Sequence, residues 1–105
     1  MEVRIQYIIN GRSDSDIYIG EEEAFFVKNN KKVFVPCDKE RRFNTLISLF
    51  GLKTRWKSED CDNPRYLISF KDNNEESVYS FDIDLPFNFL LFNSCVVRLL
   101  GDNYE

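Results

Sequence analysis

The sequence predicts an α+β domain: a twisted antiparallel sheet of several hairpins packed on one or two helices. Two observations carry this. Several short runs alternate apolar with polar residues and are separated by Asn, Asp and Gly clusters, while one stretch spaces its apolar residues as a helix does. No strand–helix–strand pattern calls for a parallel sheet. A chain of 105 residues is expected to form a single domain, 1–105, around one core. Its 43% hydrophobic and 15% aromatic content is too high for a disordered chain.

Val3, Ile5, Tyr7 and Ile9 recur at period two, predicting a strand over 2–9 with one buried face. Asn10 to Asp16 is rich in turn formers, and Ile17-Tyr18-Ile19 then begins a second strand, so a hairpin is expected. Ala24 to Val27 and Val33 to Val35 flank Lys28-Asn29-Asn30-Lys31-Lys32 and predict a second hairpin. Pro36 closes that strand, and Asp38 is placed to cap a helix over 39–50. The helix would turn Phe43, Leu46, Ile47 and Phe50 inward and Arg41, Thr45 and Ser48 outward, and Gly51 would end it. Leu52 to Lys57 alternates and reads as a half-exposed strand. Strands over 65–70 and 77–83 joined by Lys71 to Glu76 give a third hairpin, for roughly seven strands in all. A buried helix is expected over about 86–94, while Cys95 to Leu100 fits helix or strand equally. The sheet should curl round the helix at 39–50.

Several kinds of chemistry lack their residues. The chain has no His, and its isolated glycines form neither a P-loop nor a dinucleotide-binding fingerprint. Cys37, Cys61 and Cys95 are odd in number and widely spaced, which suits reduced thiols in a cytoplasm better than a disulfide framework or zinc site. The stretch from Asp14 to Glu23 carries enough carboxylates to attract a hard cation, but its spacing is not that of an EF-hand. No cofactor, no metal and no enzymatic activity are expected, and no apolar run is long enough to span a membrane.

Charge is unevenly distributed. The net charge of -4 divides into -4 over residues 1–27, +7 over 28–57 and -7 over 58–105. Clustered carboxylates on a rigid sheet imitate a phosphate backbone and raise association rates with basic clefts, while nearby aromatics serve as buried anchors. The expected partner-binding residues are therefore Asp14, Asp16, Tyr18 and Glu21 to Glu23 (Glu21, Glu22, Glu23), together with Glu59, Asp60, Asp62 and Tyr66. In composition, though through no motif, the chain resembles immunity proteins that neutralise bacterial toxins, including those of contact-dependent inhibition systems. That resemblance implies a non-enzymatic protein whose partner is a toxin, a nuclease above all, and phage-encoded inhibitors of host defence nucleases share the same character. The alternative is a small nucleic-acid-associated or regulatory module using Lys31, Lys32, Arg41, Arg42, Lys53, Arg55 and Lys57, although direct nucleic-acid binding is disfavoured by the acidic total. Monomer and dimer are both open, since strand edges present unpaired backbone groups.

Overall fold

In the computed structural model, which describes residues 1–57 and 61–101, six strands form one antiparallel sheet in the order β4-β3-β2-β1-β5-β6. The strands are β1 (Glu2–Ile9), β2 (Arg12–Gly20), β3 (Ala24–Lys28), β4 (Lys31–Phe34), β5 (Tyr66–Asp72) and β6 (Glu75–Phe81). Two helices, α1 (Lys39–Leu52) and α2 (Phe89–Leu100), complete the α+β fold. The first four strands are a meander, and β5 returns to pair with the free side of β1.

Each hairpin turn is tighter than the sequence suggests. Asn10 and Gly11 alone separate β1 from β2, at φ 53° and 76°, and Asn29 and Asn30 separate β3 from β4 at φ 54° and 62°. Two successive positive φ angles give a loop whose twist matches that of its strands, and Asn and Gly adopt them at least cost. The expected turn over Asn10 to Asp16 is therefore mostly strand. A register shift opposite Tyr7 and Ile8 leaves Asp14 as the extra residue of β2, after which Ser15, Ile17 and Ile19 point inward. Two-residue pairing also trims the third hairpin, which turns at Asn73-Asn74 and ends at Phe81 rather than 83.

Alternation places Val3, Ile5, Ile17, Ile19, Phe26, Ile68 and Phe70 on one face of the sheet, and both helices cover it. Asp38 caps α1 by accepting a 2.7 Å bond from the Arg41 amide. The helix differs from expectation in its rotation. Leu46 and Leu49 are buried, Phe50 is half-buried, and Phe43 and Ile47 are exposed. The inward line is set by 42, 46, 49 and 50 because Arg42 is drawn under the helix to bond the Cys37 and Glu21 carbonyls.

The strand expected over Leu52 to Lys57 is absent: Leu52 belongs to α1, and Lys53–Arg55 is a 3-10 turn. That turn drops Trp56 into the core, where its ring meets Phe70, Tyr79, Phe81 and Phe92 edge-on at 5.0 to 5.8 Å. Burying one large ring outweighs the weak alternation of the segment, leaving six strands rather than seven. The residues at 95–100 continue α2 as helix. Arg41, near the start of α1, donates to the Arg98 carbonyl near the end of α2, while Trp56, beyond α1, packs on Phe92 near the start of α2. The helices thus run antiparallel to one another. Among the described residues, no helix is long and apolar enough to cross a membrane.

Candidate interaction surface

Antiparallel pairing sends two of the chain's acidic turns to one end of the sheet. β2 ends and β3 begins at Glu21-Glu22-Glu23, and β5 and β6 meet at Asp72 to Glu76, where Asp72 pairs with Glu75 and Lys71 with Glu76. Both turns flank the start of β1. The Met1 ammonium lies 2.9 Å from Glu21 Oε2 and 3.8 Å from Asp72 Oδ1, so one cation ties the two turns together. A hollow of about 540 Å³ between them is lined by Glu2, Tyr18, Glu21, Glu22, Glu23, Lys71 and Asn73. Glu21, Glu22, Glu23, Asp72, Glu75 and Glu76 are all exposed. Against these six carboxylates stand the Met1 ammonium and Lys71, whose Nζ is 4.0 Å from Glu2 Oε1.

The sheet face turned away from the helices adjoins this end. Arg4 holds Asp16 through both Nε and Nη2, and the bond raises the pKa of the guanidinium. Tyr18 donates to Glu2 and stacks on Phe25 at 5.0 Å. Burial first, then that hydrogen bond, then the charges of Glu2 and Glu23 push the Tyr18 hydroxyl up to about 12, so it stays a neutral donor. Phe34 meets Phe25 edge-on, and the Lys32 ammonium sits 4.1 Å from the Phe25 ring centre.

The expected binding residues fall into separate places. Glu21, Glu22, Glu23 and Tyr18 share the acidic end. Asp16 is engaged with Arg4, and Asp14 stands exposed at the bulge. Asp62 lies in a loop hollow beside Asn10, Arg65 and Asp82. Tyr66 is on the helix-covered face, half-buried, with its ring 5.3 Å from Tyr7 and 5.1 Å from Phe89. Glu59 and Asp60 are outside the described residues. Asp72, Glu75 and Glu76 were absent from the expected set because they read as an ordinary solvated turn. Only the pairing of β5 with β1 brings them beside Glu21.

The basic residues of 28–57 do not form one surface. Lys32 lies over Phe25 on the open face, whereas the Lys53 ammonium lies 5.2 Å from the Phe70 ring centre on the helix side. Arg41 and Arg42 bond backbone carbonyls, and Arg55 stacks on Phe87. Cys37, Cys61 and Cys95 are free and half-buried. Among the described residues, no three Cys, Asp or Glu side chains are grouped to hold a metal ion.

No protein-family model matches the chain, and no curated protein or solved structure matches it. Its own geometry is what bears on function.

Proposed function

We propose that this chain is a non-enzymatic, cytoplasmic inhibitor that binds another protein, most concretely an immunity protein covering the basic active cleft of a cognate nuclease toxin. The observation that carries the reading is the convergence of Glu21, Glu22, Glu23, Asp72, Glu75 and Glu76 at one end of a rigid sheet. A mainly acidic surface set on paired strands, six exposed carboxylates against the Met1 ammonium and Lys71, offers a phosphate-like array to a cleft shaped for nucleic acid. Its field raises the encounter rate by about 10- to 1,000-fold at low salt. Tyr18 and Phe25, stacked beside that end, supply the aromatic anchor that charge alone lacks. A phage inhibitor of a host nuclease would use the same surface. The dispersal of the basic residues over several faces argues against the nucleic-acid module.

The experiment is association kinetics with the protein encoded beside this chain in its genome. Replacing all six carboxylates by Lys should slow association at least about tenfold at low salt and invert its salt dependence, since salt would then screen a repulsion from the basic cleft. An unchanged rate would refute the assignment of the acidic end. Asp16 is left alone because of its bond to Arg4, and since the variant also breaks the Met1 contacts with Glu21 and Asp72, an unchanged urea midpoint is required to separate lost binding from lost folding.

A further inference from the structure

The outer side of α2 and the segment leading into it are apolar beyond what the core needs. Phe89, Phe92 and Val96 are buried, yet Leu90 is 79% exposed, Ile83 71% and Phe87 65%, with Leu85, Leu91 and Val97 exposed as well. Leu90 and Val97, two turns apart on α2, project the same way. Ile83, Pro86 and Phe87 wall a groove of about 540 Å³ that also includes Trp56 and Phe81. Two contacts hold Phe87 at the groove: Trp56 Nε1 donates 2.9 Å to the Phe87 carbonyl, and the Arg55 guanidinium lies 5.8 Å from the Phe87 ring centre.

We propose that a second copy of this chain covers this face, in a two-fold dimer with α2 against α2. Two observations choose that occupant. The first is area. At roughly 100 Å² each, the six exposed side chains present on the order of 600 Å² of apolar surface, at the top of the range for an ordinary monomer. That is most of the about 800 Å² each partner contributes to a stable interface.

The second is charge. Residues 85–97 contain no charged side chain, so this part of an acidic molecule meets its own copy without repulsion. The groove rim carries Arg55 and Lys57 beside Asp84 and Asp82, the latter already 3.0 Å from Arg65 of its own chain, so both signs lie within one patch. A two-fold axis then lets cations of one copy face anions of the other. A partner selected by charge would call for a rim dominated by one sign, as at the acidic end.

Sedimentation velocity of the full chain between about 1 and 100 µM tests this. The wild type should approach twice the chain mass at the upper concentrations. Leu90→Glu should raise the dimer dissociation constant at least about 100-fold, because the buried charge enters a two-fold interface twice. Leu90 is too exposed to be needed for folding, and an unchanged circular dichroism spectrum and urea midpoint would separate lost pairing from lost structure. Val97→Glu should act alike, and Phe34→Glu, on the opposite face of the sheet, should leave the dimer intact. A wild type that stays monomeric throughout overturns the proposal and leaves the face to a different partner. A Leu90→Glu chain that still dimerises places the contact elsewhere and overturns it equally. Lys substitutions at the acidic end should not change the dimer, so the two surfaces fail or succeed independently.

Discussion

Trp56 is the residue on which the helix-covered side of the sheet turns. Its ring lies among Phe70, Tyr79, Phe81 and Phe92, and its Nε1 holds the segment entering α2. Trp56→Ala should therefore lose about 3–5 kcal/mol in urea unfolding, whereas Trp56→Phe keeps most of the ring burial and gives up the hydrogen bond for a smaller loss. On the opposite face, Tyr18 is held by Glu2 and by the close approach of Gly20, where an added Cβ would lie 2.6 Å from the Tyr18 hydroxyl oxygen. Gly20→Ala should push the ring aside. Because folding raises the Tyr18 pKa from 10.0 to about 12, the stabilisation it contributes is complete below pH 10 and is lost as pH rises through about 12. Glu2→Gln removes the hydrogen bond to a carboxylate and its charge, and should bring the phenolate absorbance transition to lower pH. A transition that does not move would mean that burial alone sets it.

Among the elements, the turns are where local chemistry decides most. Asn30 at φ 62° follows Asn29 in a two-residue loop for which Asn-Gly is the favoured pair. Asn30→Gly should leave stability equal or slightly raised, and Asn30→Val should lower it by about 1–2 kcal/mol, both read from urea midpoints. The same chemistry explains what was legible in the sequence. Period-two runs at Val3–Ile9 and Tyr66–Phe70 and the Asp38 cap with its following helix are local signals, and each became the element it predicts. Rotation of α1 was not legible, since Phe43 and Phe50 fit an apolar stripe equally well. The deciding interaction is Arg42 bonding the carbonyl of Glu21, in a turn distant in sequence. Leu52 to Lys57 misled for a related reason: its alternation is real, but Trp56 finds its neighbours in β5, β6 and α2.

At the scale of the whole molecule, β5 returning beside β1 is the event that creates the candidate interface. Half of it was visible as Glu21-Glu22-Glu23. The rest, Asp72, Glu75 and Glu76, is acidic surface only by virtue of sheet order, which periodicity within a strand does not encode. Conversely, residues that looked equivalent in sequence separate in space: Tyr66 packs against Phe89 under α2, and Asp16 is engaged by Arg4. The basic block is dispersed in the same way, since Lys32, Arg42 and Lys53 each engage different neighbours.

The central claim is that the acidic end blocks a partner protein. Its most direct measurement is the survival of cells expressing the protein encoded beside this chain, with the wild type or with the variant carrying Lys at Glu21, Glu22, Glu23, Asp72, Glu75 and Glu76. The neighbour alone should be toxic, the wild type should rescue growth and co-purify with it, and the variant, equally abundant and folded, should do neither. Rescue by both forms would contradict the acidic end as the blocking surface, and a harmless neighbour that never co-purifies would contradict inhibition of that protein.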